Sequence, residues 1–122
     1  MKFPAIETDE RGETHFHVRE IADREASLGP PPNPAGRLAD FGSVTTLSVF
    51  SVPAGTDVPA HNAPHPYVAI CLSGEGEVVA SDGEVRRIRP GDVLLCNDLT
   101  GKGHSTRAIT DLVAAFINRA AT

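Results

Sequence analysis

The 122-residue chain is predicted to be an all-β protein. Its ten prolines and eleven glycines favour many short elements with tight turns over long helices. Valine and isoleucine recur in brief runs, and about eight to ten such runs are bounded by turn residues at regular spacing. Short strands repeated in this way indicate a sandwich or a barrel. The length suits one domain around a single core.

The N-terminal residues show little regular patterning before the first strand. Residues 1–13 are polar and rich in glutamate, and they are expected to form a loosely held arm. Thr14–Ile21 alternates polar and apolar side chains, which predicts a strand. On this strand His15 and His17 share one face, and the apolar partners on the other face leave both histidines toward solvent.

A proline-rich segment follows. Ile21–Leu28 has weak helical spacing that ends at Gly29. The prolines between Pro30 and Pro34 enforce an extended, unpaired segment, because proline lacks a backbone N–H. Residues 1–43 are therefore interpreted as an arm packed on a barrel that residues 44–122 form.

The barrel residues alternate strands with turns. Ser43–Val52 alternates over its whole length, and Asp82–Gly83 is the strongest hairpin signal of the chain. The Pro90–Asp92 turn, in which Asp92 is expected to cap the turn, separates two further strands. The other predicted strands are Val58–Asn62, Tyr67–Leu72, Glu77–Ala80, Glu84–Ile88, Val93–Asn97, His104–Ile109 and Asp111–Asn118.

Charge and hydropathy exclude several classes of partner. The net charge is −5 and no basic stripe is present, so a nucleic-acid partner is not expected. The apolar runs are too short to span a bilayer, and the N-terminus lacks the apolar core of a signal peptide. A cytoplasmic location is expected, with Cys71 and Cys96 as buried thiols in strands.

A first motif resembles the cupin superfamily. In cupins this motif reads G(x)5HxH(x)3–4E(x)6G, and Gly55, His61 and Gly74 match its ends and its first histidine. The position of the second histidine is Ala63, and the position of the glutamate is Tyr67. The usual metal site of the family is therefore only partly present.

A second motif continues the resemblance over residues 44–118. The cupin pattern G(x)5PxG(x)2H(x)3N is matched by Gly83, by the Pro90–Asp92 turn and, after a longer loop, by His104. The position of its asparagine is Ala108. Residues Asp98–His104 of this chain also resemble a D-x-T-G-x-G-H segment found in a group of small bacterial cupins. The resemblance implies a double-stranded β-helix, or jelly-roll barrel.

Strand alternation predicts a pocket inside this barrel. If His61 points inward, so do His65 and Tyr67, provided that the intervening proline turn inserts no bulge. His104 would project inward from another strand, and imidazoles in an apolar barrel are typical of a small-molecule site. Further positions follow from the same alternation: Ala69, Cys71 and Thr106 inside the barrel, and Asn97 and Asp98 near its rim.

A metal is the first interpretation of these residues. Divalent Fe, Mn, Ni, Cu or Zn needs three or more imidazole or carboxylate ligands. His61 and His104 supply two, and His65 or Tyr67 could supply a third, although a phenol with a pKa of about 10 is a poor replacement for a carboxylate. Two enzyme functions use such a site: metal-assisted isomerase or lyase chemistry, or a metal-dependent dioxygenase, which the missing glutamate and second histidine disfavour.

Acid–base chemistry is the second interpretation. His61 or His104 could act as general base and Tyr67 as acid or oxyanion donor, which would serve an isomerase or a lyase. The alternative is a non-catalytic ligand-binding or sensor protein in which Tyr67 only fills the barrel. The loop Leu99–Gly103 could gate the pocket, and its Lys102 could attract a carboxylate. A homodimer through edge strands and the arm is expected.

Overall fold

The computed structural model describes residues 1–120, and these residues form strands and turns without a helix. The all-β prediction is confirmed. No helix in this part of the chain is long and apolar enough to cross a membrane. The strands are β1 (Lys2–Thr8), β2 (Thr14–Glu20), β3 (Asp23–Ser27), β4 (Ala35–Ala39), β5 (Val44–Val52), β6 (Asp57–His61), β7 (Tyr67–Ser73), β8 (Gly76–Ala80), β9 (Val85–Ile88), β10 (Val93–Cys96), β11 (His104–Ala108) and β12 (Leu112–Arg119).

The strands form two facing sheets and one hairpin. The larger sheet has six strands in the order β2-β1-β10-β7-β12-β5, and the smaller has the order β6-β11-β8-β9. β3 and β4 pair only with each other. All pairs are antiparallel except β1 with β10. From β5 to β12, every connection except the one between β8 and β9 crosses from one sheet to the other, which is the jelly-roll arrangement that the motif resemblance implies.

The core lies between the two sheets. Its largest cluster joins Ile6, Phe16 and Leu94 of the larger sheet to Val78 and Ala80 of the smaller one. This is the alternation that a half-buried strand predicts, with successive side chains on opposite faces. A second cluster on the outer face of the larger sheet contains Ala5, Val68 and Leu95.

The N-terminal residues are not the loose arm that was expected. Lys2–Thr8 is a strand inserted between β2 and β10, and Ala5 and Ile6 are completely buried. The short apolar run Phe3–Ile6 is enough for this, because a strand buries alternate residues on both faces of the sheet. The weak helix predicted for Ile21–Leu28 is also wrong, since β3 occupies most of it.

The β3–β4 hairpin projects from the barrel. Its two ends are anchored: Ile21 and Phe41 pack on the outer cluster of the larger sheet, and the ring of Phe41 lies 5.0 Å from that of Phe3. Its tip is exposed, with 97% of Leu28 accessible to solvent. The residues between Pro30 and Pro34 form a turn of this hairpin.

A charged cluster connects two turns at one end of the barrel. The His15 ring bonds Asp9 Oδ2 through Nε2 (2.7 Å) and Asp82 Oδ2 through Nδ1 (2.9 Å). The bonds to Asp9 and then Asp82 raise the pKa of His15. The His15 bond lowers the pKa of Asp9, and the Glu84 backbone N–H and then His15 lower that of Asp82. His15 is thus half-buried and paired, although the sequence predicted a free surface residue.

Replacing His15 with glutamine should therefore lower stability in a limited pH range. A raised histidine pKa stabilises the fold below the unfolded value of about 6.5 and ceases to do so as pH rises through the folded value. The lowered pKa values of Asp9 and Asp82 stabilise the fold at pH values above about 3.9. We expect the melting-temperature difference between wild type and H15Q to be clear at about pH 5.5 and to vanish by about pH 9. H17Q, at an exposed position on the same strand, is the control. An equal difference at both pH values would contradict the pairing.

Candidate functional site

A cavity of about 380 Å³ lies between the two sheets, and Ser48, Phe50 and Val52 of β5 form part of its wall. This volume falls in the range of small-molecule sites. Most of its wall is apolar. His61, Tyr67 and His104 gather at one end, and Asp92 lies beside Cys71 at the other. The cavity is lined at its polar end by His61, Tyr67 and His104, and its apolar wall includes Val52, Val78, Ile88, Leu94, Leu112, Ala114 and Phe116.

His104 is the buried imidazole of this cavity. It begins β11, the strand that pairs with both β6 and β8 in the smaller sheet. Only 3% of its surface is exposed, and its Nδ1 lies 2.5 Å from Oδ2 of Asp98, which is completely buried. Nδ1–H donates this bond, so the other ring nitrogen, Nε2, is left as an acceptor. The Asp98 carboxylate thus sets the tautomer of His104.

The loop between these two residues explains their proximity. Gly103 has a φ of +71°, and a Cβ at this position would lie 2.1 Å from the carbonyl oxygen of His61. Glycine is therefore required for the backbone to pass this close and turn His104 back toward Asp98. The Ala63 N–H bonds the Asp98 carbonyl at 3.0 Å and holds the start of the loop.

Tyr67 completes the polar end from the larger sheet. Its hydroxyl lies 3.4 Å from His104 Nε2, and it donates to that nitrogen. Burial raises the pKa of the phenol, and the neighbouring Cys96 adds to the shift. Burial also raises the pKa of the Cys96 thiol to about 12. Tyr67 therefore remains a neutral hydrogen-bond donor, and Cys96 remains a thiol, as predicted for a core residue.

His61 lines the mouth of the cavity rather than its floor. It lies directly opposite His104 across the β6–β11 pair, and the two ring centroids are 4.7 Å apart. Unlike His104, His61 is exposed. Its Nδ1 bonds the Pro59 carbonyl at 2.9 Å, which leaves Nε2 for solvent or a ligand. His61 thus lies between the buried His104 ring and solvent.

Two positions differ from the predicted pocket. His65 is exposed and does not line the cavity, because the backbone bends at residues 64 and 65 and breaks the alternation between His61 and Tyr67. Asp98 was expected at the rim and is instead fully buried. A carboxylate in a loop is normally expected to be exposed to solvent. The signal that could have placed Asp98 in the site is its position in the D-x-T-G-x-G-H segment, six residues before His104.

Other predicted positions agree with the structure. Ala69, Cys71 and Thr106 line the cavity, and the Asp92 carboxylate accepts a bond from the Arg89 N–H within its turn at 2.8 Å. The loop before His104 is held down instead of gating the pocket. Its Lys102 forms an ion pair with Glu13 at 2.6 Å, and the Lys102 N–H bonds the Gly12 carbonyl at 2.8 Å.

The residues present do not fit the metal that the first interpretation requires. Of the candidate ligands, His61, His104 and Tyr67 line the cavity but His65 does not, and burial raises the pKa of the Tyr67 phenol and keeps it neutral. Within residues 1–120, no group of three or more histidine, cysteine, aspartate or glutamate side chains could hold an ion. No step below is therefore assigned to a metal.

Comparison with known proteins identifies the fold. No protein-family model and no curated protein matches the sequence. A cupin superfamily protein from Desulfitobacterium hafniense matches in structure with a TM-score of 0.55 and 18% identity, over 86% of this chain and 84% of that one. A predicted oxalate decarboxylase from Thermotoga maritima matches with a TM-score of 0.50 and 23% identity, over 83% and 95%.

A third similar structure covers less of the molecule. A conserved protein of unknown function from Streptococcus pyogenes matches with a TM-score of 0.52 and 22% identity, over 62% of this chain. The chain spans 65% of that protein, slightly under two thirds. At these identities the likeness concerns the fold. Together with the jelly-roll arrangement of its two facing sheets, it shows that this chain is a small protein of the cupin fold.

Proposed function

We propose that the protein is an enzyme of the isomerase or lyase type that moves a proton next to a carbonyl group of a small molecule. The observation that carries the proposal is the buried series Asp98–His104–Tyr67 at the polar end of an otherwise apolar cavity. A carboxylate, an imidazole and a neutral phenol in this order supply an orienting group, a base and an oxyanion donor.

His104 is the base in this proposal. With Nδ1–H bonded to Asp98, Nε2 has a lone pair at the cavity surface and can take a proton from the carbon next to the carbonyl. The C–H electron pair then forms a C=C bond, and the carbonyl π electrons move to oxygen. Asp98 stabilises the imidazolium that results, as the carboxylate does in a catalytic triad.

Tyr67 stabilises the negative oxygen. A substrate carbonyl would displace His104 as the acceptor of the Tyr67 hydroxyl, which lies 3.4 Å from Nε2. The base and the donor are thus neighbours, as the hydrogen and the oxygen of an enolisable carbonyl compound are. Return of the proton from His104 to the same carbon, or to another one, completes an epimerisation or an isomerisation. Loss of a leaving group from the enolate gives elimination.

Solvent exchange tests this proposal without knowledge of the substrate. The protein is incubated in D2O with a panel of neutral ketones and keto acids, and deuterium uptake next to the carbonyl is followed by NMR. We expect enzyme-dependent uptake for at least one compound, unchanged by a chelator. Uptake that requires added metal would support the metal-assisted enzyme instead. Binding of compounds without any uptake would overturn catalysis and support a ligand-binding or sensor protein.

We also propose that two copies associate through β5. This strand is an edge, hydrogen-bonded only to β12 among the described strands, and none of its nine residues is charged. Leu47 and Val49 are 69% and 62% exposed. Natural edge strands normally carry charge, proline or a cover that prevents pairing. Antiparallel pairing of two β5 strands around Ser48 would set Leu47 opposite Val49 of the second copy, with no like charges facing.

The double variant L47K/V49K should therefore be a monomer, because it sets lysines opposite each other across the pair. Sedimentation velocity should show a dimer for wild type and half that mass for the variant. V85K is the matched control: Val85 is also an exposed apolar residue, and it lies on β9 at the edge of the smaller sheet. A monomeric wild type, or a dimeric L47K/V49K, would contradict the proposal.

A further inference from the structure

The cavity wall contains no cation to receive an anionic ligand. Among residues 1–120, no lysine or arginine lines it. Arg86 and Arg87, on the neighbouring strand β9, bond glutamates at the surface instead. The nearest basic residue of the loop, Lys102, is paired with Glu13. A carboxylate or phosphate that enters the cavity would therefore lose water without gaining an ion pair, which is costly.

The histidines do not supply the missing charge. If His104 is protonated, its charge is balanced by Asp98, whose Oδ2 lies 2.5 Å away. The other oxygen of this carboxylate, Oδ1, is buried and has no hydrogen-bond partner in the described part of the chain, so the polar end already contains an incompletely compensated negative charge. An anion beside it would be repelled. His61 lies at the mouth, where solvent screens its charge.

Along the barrel axis, the cavity runs from a polar end at Tyr67 to a mostly apolar end at Cys71. Tyr67, at the polar end, pairs with Asn118 across β7 and β12, whereas Cys71, four residues further along β7, pairs with Ala114. Four residues of strand correspond to roughly 13 Å. Around Cys71 the wall is completed by Leu112 and Val52. A ligand that spans this length meets the histidines and Tyr67 at one end, whereas the Asp92 carboxylate beside Cys71 at the other end accepts the Arg89 N–H within its turn.

We infer that the substrate is an uncharged, largely apolar carbonyl compound of roughly 10 to 15 non-hydrogen atoms, bound with its carbonyl at Tyr67 and His104 and its hydrocarbon part against Phe116 and Leu112. The size follows from the volume of about 380 Å³, since an apolar cavity of about 150 Å³ accepts benzene. This inference rests on the proposed function for the carbonyl group, and on the cavity wall for the absence of charge.

Two probes of equal size test the inference by binding alone. Benzylacetone and hydrocinnamate share a phenylethyl group and have the same number of non-hydrogen atoms, but a methyl group in the ketone replaces a charged oxygen in the acid. Calorimetry and saturation-transfer NMR on the whole protein should show the ketone bound at least about 10-fold more tightly than the carboxylate. The variant A114L adds bulk to the apolar wall and narrows the cavity, so it should weaken binding of the ketone. The variant A35L, on the exposed hairpin, should leave ketone binding unchanged.

The outcomes separate this inference from the proposed function. Hydrocinnamate bound as tightly as benzylacetone would overturn the uncharged substrate class and leave proton transfer standing. Failure of both probes to bind up to their solubility limits, or equal binding to A114L with its fold intact by circular dichroism, would also overturn it. Selective ketone binding with no deuterium uptake from any ketone would preserve the substrate class and overturn the enzyme.

Discussion

Replacing His104 with glutamine should lower the rate of deuterium uptake by about 10²- to 10⁴-fold, the usual contribution of a positioned general base. Glutamine keeps a polar group of similar reach in the buried site but cannot take the proton. The affinity for the same compound should change little, because the apolar wall provides most of the contact. Uptake is measured by NMR in D2O, and affinity by calorimetry.

Asp98→Asn tests the orienting role separately. An amide at this position can donate to Nδ1 and would then favour the tautomer whose Nε2 carries the proton, so the base is lost although the imidazole remains. A comparable loss of rate is expected, with a nitrogen-15 NMR signature of the changed tautomer at His104. His65→Gln is the matched control, since His65 is exposed and outside the cavity. Unchanged rates in H104Q would remove His104 from the reaction.

Gly103→Ala should be the most destabilising of the small substitutions considered, by at least about 3 kcal/mol. The added Cβ would meet the His61 carbonyl oxygen at 2.1 Å and the His61 carbonyl carbon at 2.4 Å, both backbone atoms that cannot move without displacing β6. The positive φ adds strain of its own. Urea unfolding followed by circular dichroism measures the difference.

Gly83→Ala is the control for the backbone strain alone. Gly83 also has a positive φ, of +94°, but a Cβ there would meet nothing within 4 Å. This variant should lose only about 1 kcal/mol. Similar losses for G83A and G103A would mean that the close approach at Gly103 contributes nothing, and that the tight passage between His61 and His104 is not what positions the imidazoles.

The barrel strands could be predicted from the sequence because their information is local. Ser43–Val52 and Tyr67–Leu72 were predicted within one residue of their observed bounds, from alternation and flanking turns. β1 could not be found in this way. It pairs with the neighbouring β2, but its place inside the larger sheet depends also on parallel pairing with β10, some ninety residues later, and such distant pairing leaves no local pattern. The β3–β4 hairpin was missed for a different reason: its strands pair only with each other, and they contain too few apolar residues to show alternation.

The candidate site was predictable where side-chain alternation continues without interruption. It placed Tyr67 and His104 inside the barrel correctly. It failed at His65, because it cannot detect the bend at Pro64 and His65, and it pointed His61 into the barrel although that residue ends β6 at the cavity mouth. It missed Asp98, whose burial depends on how a glycine loop closes in three dimensions. The residue types were recognisable, but their depths were not.

The sheet order has a consequence for how the molecule reaches its native state. β12 lies between β7 and β5, so the strand made last joins two parts of the larger sheet that otherwise do not touch through hydrogen bonds. β1 likewise must wait for β10. The larger sheet can therefore be completed only after residues 93–96 and 112–119 are synthesised, and folding should be slow, as for other proteins of high contact order. Loss of β12 would remove both the cavity wall at Phe116 and the link between β5 and the rest of the larger sheet.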